Sequence, residues 1–172
     1  MTRRRSRIDE RRLGSAYLVP ALNGRRLYWR REEDPSRGHF TGRNRFTRKR
    51  PFDYSVVCEG GAYAIEAKVA CPRVTLRPHQ DEELARFERD GGVIALLAIF
   101  AKAGREWALW ILRYRVFKRY VHRHGRQSFP ARDLPRHAVP CPRTNGVFQI
   151  SLGKMRRRVE QRRGPAAAEG AA

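Results

Sequence analysis

Two short segments, 52–58 and 62–70, are rich in Val, Tyr and Ile and meet across Glu59-Gly60-Gly61. No other feature limits the fold as much, because alternating strands joined by a tight glycine turn predict a β-hairpin. Side chains alternate along a strand, so Glu66 and Lys68 share one face while Tyr63, Ile65, Ala67 and Val69 share the other. A two-residue turn at Glu59-Gly60 sets Asp53 opposite Glu66, and a turn at Gly60-Gly61 sets it opposite Lys68. In either register the three polar groups lie on one face. A plain three-residue loop would move Asp53 to the other.

Two carboxylates from neighbouring strands are hard oxygen donors, suited to Mg²⁺ or Mn²⁺ rather than zinc. A cation held by Asp53 and Glu66 would acidify water and neutralise charge on a phosphoryl oxygen. Lys68 would orient the attacking water or stabilise transition-state charge. The same residue types also make an ordinary ion pair on a solvated sheet face, worth about 0–1 kcal/mol.

Residues Pro78–Asp90 predict a helix, with Gln80, Leu84 and Phe87 at i, i+4 and i+7. Gln80 thus lies on the stripe that packs on the sheet, where an amide can hold a water or a metal. In the first helical turn it can equally cap the backbone. Gly91-Gly92 ends the helix, and 93–101 is a continuous apolar run that predicts a buried central strand.

Pro51-Phe52-Asp53-Tyr54, Ile65-Glu66-Ala67-Lys68, Pro78-His79-Gln80 and a helix ending in Gly91-Gly92 before an apolar strand together form a recognisable pattern. It resembles the PD-(D/E)xK nuclease superfamily, and within it the RecU-type Holliday-junction resolvases, over roughly residues 48–111. The resemblance implies an α/β, restriction-endonuclease-like αβββαβ core with a central mixed β-sheet flanked by helices. It implies a catalytic set of Asp53, Glu66, Lys68 and Gln80, with Asp53, Glu66 and Gln80 helping to bind Mg²⁺ and Lys68 stabilising the transition state. It further implies a homodimer that cuts two opposed strands of a four-way DNA junction, a step of recombination and repair. The chain departs from the pattern at Pro51, where the family usually has a threonine, and in a shorter segment between Lys68 and His79. Asp9 or Glu10 stands where archaeal relatives place a further glutamate, although Arg7-Ile8-Asp9-Glu10-Arg11-Arg12 reads better as a solvated helix face.

Composition points independently to a polyanionic partner. Among 172 residues, 38 basic against 17 acidic side chains give a net charge of +21, which favours nucleic acid through counterion release. One basic cluster, Arg43, Arg45, Arg48, Lys49 and Arg50 with Phe40 and Phe46 interleaved, runs into the hairpin. It can hold phosphates or stack on splayed bases, or simply attract DNA as a basic loop. A second spans 113–126 and offers Arg115, Lys118 and Arg119 as DNA contacts; if 115–120 is helical, Lys118, Arg119 and His122 share a face that could grip a DNA arm. His122 and His124 at i, i+2 lack the spacing of a metal site.

The length suits one domain, expected over 1–150, with a basic arm at the start and a basic tail over 151–172. A helix is expected over 3–22 with Leu13, Tyr17 and Leu18 facing inward, an edge strand over 25–31, and a Pro-rich extended wrap after Arg126. Three cysteines without a CxxC pair indicate neither zinc nor a disulfide framework, and a reducing cytoplasm is the expected setting. The longest apolar run is too short to cross a bilayer, so no membrane partner is expected. Other DNA nucleases of phage or restriction type remain an alternative, as does a non-catalytic basic nucleic-acid-binding protein.

Overall fold

A computed structural model describes residues 12–23, 28–32, 52–58, 61–90, 92–104 and 106–152. The expected arm, the basic cluster at 43–50, Asp9, Glu10, Pro51 and the tail from 153 lie outside the described residues. The chain enters as a helical stretch: a π-helical segment, Gly14–Leu18, runs into α1 (Val19–Asn23). Strand β1 (Tyr28–Arg31) follows, then the hairpin of β2 (Tyr54–Cys58) and β3 (Gly61–Ala70). After the short β4 (Arg73–Val74) come α2 (Pro78–Asp90), β5 (Ile94–Ala103), β6 (Glu106–Arg113) and α3 (Tyr114–Arg123). The remainder holds β7 (Phe129–Pro130), α4 (Leu134–His137), β8 (Val139–Cys141), β9 (Arg143–Thr144) and β10 (Val147–Phe148).

Six strands form one sheet in the order β1-β2-β3-β5-β6-β8. The β3–β5 pair is parallel and the other neighbours are antiparallel, so the sheet is mixed. Helix α2 makes the crossover that a parallel pair requires. Leading helix, three strands, α2 and β5 give the expected αβββαβ order, interrupted only by the two-residue β4. The apolar run at 93–101 becomes β5, flanked by β3 and β6 and buried from Ala95 to Ala101. Strand β1 lies at one edge, as expected, and β8 at the other; Pro140 lacks an N–H and is tolerated at such an edge.

Alternation gives the sheet two packed faces. Tyr54, Val56, Tyr63 and Ile65 join Leu13, Leu18 and Leu22 of the leading helix, with Phe148 and Ile150 from the end of the described chain. The fit is close at Gly14, where a Cβ would stand 2.8 Å from Tyr54 Oη. On the opposite face Ala64, Leu97 and Ile99 meet Leu84 of α2 and Tyr114, Phe117 and Phe129. The Pro-rich wrap closes this second face: Tyr120 of α3 donates to Asp133 and its ring lies 4.5 Å from that of Phe129. The three cysteines are free thiols. Among the described residues no helix is long and apolar enough to cross a membrane.

Candidate active site

The hairpin settles which face carries the acids. Cys58 pairs with Gly61 and Tyr54 with Ile65, which leaves two residues between the strands. Of the two registers open on sequence, this one runs Asp53 toward Glu66. At Asp53 the ladder slips by one residue: its N–H donates to Ile65 O at 3.1 Å, as in a bulge, a device that re-aims a side chain. The Asp53 carboxylate turns onto β3, where Oδ2 accepts the Ala67 N–H at 2.9 Å. Ala67 lies between Glu66 and Lys68, so the three polar residues meet on one patch of the sheet.

Helix α2 brings the fourth member. Pro78 occupies its first position, and Gln80, two residues later, turns its side chain back toward the helix start. Gln80 Oε1 accepts the Arg77 N–H at 3.1 Å, the backbone-capping role, and also the Lys68 ammonium at 3.0 Å. Its Nε2 donates to Glu66 Oε1. The capping role open to Gln80 on sequence is therefore filled, and the amide is also a bridge between acid and amine. Lys68 Nζ lies 2.9 Å from Glu66 Oε1, closing a three-membered polar ring.

This cluster is deeply placed. Relative exposures are 8% for Asp53, 3% for Glu66, 4% for Lys68 and 8% for Gln80. Charges at such depth survive only when paired and hydrogen-bonded, as these are. The donor set is two carboxylates, hard oxygens that fit a divalent cation; Asp53 and Glu66 would hold it. Gln80 Oε1 already serves Lys68 and the Arg77 N–H, which makes it an orienting group for both Lys68 and Glu66. Among the described residues no three His, Cys, Asp or Glu side chains gather into a metal cage.

The basic helix α3 stands beside α2. Arg115 Nε lies 2.6 Å from Glu88 Oε2, and Lys118 Nζ 2.6 Å from Asp81 Oδ2. Tyr114 OH donates to Asp81 Oδ1 at 2.7 Å and to Asp81 O at 2.9 Å. Burial and the bond to Asp81 hold the Tyr114 phenol well above its ordinary pKa. Arg115 and Lys118 thus brace α2 through acidic partners, and Arg119, His122, Arg123 and His124 are exposed. Asp81 adjoins Gln80 in the chain, so this brace fixes the turn that carries it.

Sequence reading overlooked Glu32. The β1–β2 register places it opposite Asp53, and its N–H donates to Asp53 O at 3.0 Å. Its carboxylate accepts from Ser55 Oγ on the same face. Only strand pairing across the long 33–51 segment reveals this neighbour; no local spacing signals it.

No protein-family model matches the chain, and no curated protein sequence does. Among solved structures it is similar to Hjc, a Holliday junction resolvase from the archaeal hyperthermophile Archaeoglobus fulgidus. Sequence identity is 18%, covering 84% of this chain and 85% of that one, with a TM-score of 0.35.

Proposed function

We propose that the protein is a metal-dependent DNA endonuclease that hydrolyses phosphodiesters, with Mg²⁺ as its ion and Mn²⁺ as a substitute. The observation that carries this reading is the buried ring of Glu66, Lys68 and Gln80 with the Asp53 carboxylate turned onto it. A cation held by Asp53 and Glu66 would supply Lewis-acid stabilisation of phosphoryl oxygens and would acidify water. Lys68 presents a fixed ammonium where negative charge grows in the transition state, and Gln80 keeps it from swinging away. Asp53 is anchored by the Ala67 N–H, so its position costs little reorganisation during the reaction. The net charge of +21 attracts the substrate backbone, and two acids amid such charge tolerate a phosphate best with a cation between them.

The four-way junction as substrate and the homodimer as assembly follow from the sequence resemblance carried by Asp53, Glu66-Ala67-Lys68 and His79-Gln80. Paired cuts across a symmetric junction need paired catalytic centres. The test is cleavage of a labelled four-way junction beside linear duplex with the same arms, in Mg²⁺ and in EDTA. Paired symmetric nicks confined to the junction and lost in EDTA are expected. Cutting of both DNAs points to a nuclease of other specificity. Binding without product under Mg²⁺ and Mn²⁺ contradicts the catalytic reading and leaves a basic DNA-binding protein.

A further inference from the structure

The edge strand β1 meets the site at the Glu32–Asp53 row, and one of its faces continues outward from it. Trp29 and Arg31 pair with Val56 and Tyr54, and the Trp29 and Tyr54 rings pack 6.2 Å apart on the opposite side of the sheet. Tyr28 and Arg30 therefore project on the side of Asp53 and Glu66, paired with Val57 and Ser55. Rows two residues apart on a strand are separated by about 7 Å, so Arg30 stands about 7 Å and Tyr28 about 14 Å along β1 from the Glu32–Asp53 row.

Among the described residues, the apolar cluster that packs α2 and α3 on this face includes no residue of β1. Tyr28 is 70% exposed and Val57 is 50% exposed, and they are direct cross-strand partners. Arg30 is also exposed, and among the described residues it forms no ion pair. An aromatic ring beside an aliphatic side chain, with an exposed guanidinium next to them, makes an apolar shelf with a cation at its inner edge. A flat aromatic accepts a nucleobase or deoxyribose, and the arginine fork accepts the phosphate.

We infer that the Tyr28–Arg30 face of β1, with Val57, is a subsite for the DNA strand leading away from the cleaved phosphate: Arg30 takes a phosphate and Tyr28 stacks on an unpaired or splayed base. This rests on the nuclease reading for the position of the cleaved bond, but its test does not need cleavage. A second protein copy is the less suitable occupant of this face, because two such faces brought together would set one exposed Arg30 against another.

The test is anisotropy of a labelled four-way junction and of a single strand from it, in EDTA, with wild type, Tyr28→Ala, Tyr28→Phe and Arg30→Ala. Tyr28→Ala is expected to weaken binding about tenfold, and Tyr28→Phe, which keeps the ring, to stay within about twofold of wild type. Arg30→Ala should lower the slope of log affinity against log salt by about one. The solvent position of Tyr28 keeps all variants folded, which an unfolding curve checks. Wild-type affinity and salt slope in Tyr28→Ala and Arg30→Ala overturn the subsite. So does loss of self-association in Tyr28→Ala with DNA affinity unchanged. If wild type binds as expected but never cuts, the catalytic reading falls and the subsite stands; if wild type binds no DNA, both fall.

Discussion

On one face of β3, Tyr63, Ile65 and Ala67 pack with the leading helix and Phe148; on the other, Glu66 and Lys68 are buried just as deeply beside Asp53 and Gln80. The first face is what folding alone selects, since each fully buried large apolar side chain contributes about 1.5–3 kcal/mol. The second face is not. A buried ion pair can often be replaced by apolar residues of the same volume with no loss, or with a gain of about 1–4 kcal/mol. Polar residues held at that depth, joined through Gln80 from a separate helix, fit the proposed chemistry better than they fit a role in stability.

This contrast can be broken most directly at the polar face. Lys68→Met should lower the cleavage rate about 100- to 1000-fold, the cost of removing a fixed transition-state donor, with DNA affinity nearly unchanged; single-turnover cleavage and anisotropy check it. On the apolar face the effect should reverse in kind. Ile65→Ala should cost about 2–5 kcal/mol in denaturant unfolding, while the folded fraction cuts at a wild-type rate. If Ile65→Ala left stability intact, the apolar face would not be the foundation of the fold.

The helices that cover the polar face offer smaller effects. Tyr114 has a raised pKa in the fold and an ordinary one near 10.0 when unfolded. The stability from its neutral phenol is therefore fully present below about pH 10 and is lost as pH rises, because the unfolded chain ionises first. The unfolding midpoint of wild type should fall more steeply above that pH than that of Tyr114→Phe. Lys118→Ala should cost less than about 1 kcal/mol, as exposed pairs do, and shows in DNA binding chiefly as a smaller salt slope.

Much of this arrangement was legible in the sequence, for reasons that also mark its limits. Alternation across 62–70 placed Glu66 and Lys68 together, and the i, i+4, i+7 stripe turned Gln80 toward the sheet. Asp53 depended on turn length, which strand pairing resolves at two residues, and on a one-residue slip that no pattern announces. Gln80 was read as cap or ligand because spacing places a residue but does not say which atoms it meets. Strand β8 and the pairs β4–β7 and β9–β10 are only two or three residues long, too short to show a period. Glu32, Tyr28 and Arg30 were hidden for another reason: the alignment of β1 on β2 is set by pairing across 33–51, not by anything local. The basic residues Arg43, Arg45, Arg48, Lys49 and Arg50 lie in that same segment, outside the described residues, and remain part of the proposed DNA contact with Arg115, Lys118 and Arg119.

The central claim, that the polar face serves catalysis and not folding, is tested by the paired substitution Glu66→Gln with Lys68→Met. It removes the two charges of the Glu66–Lys68 ion pair together and so strands neither partner of that pair. The decisive measurement is Mg²⁺-dependent nicking of a four-way junction by this variant, at a protein concentration corrected for the folded fraction. A folded variant, at least as stable as wild type, that yields no product is the predicted result. Nicking at the wild-type rate would contradict the account.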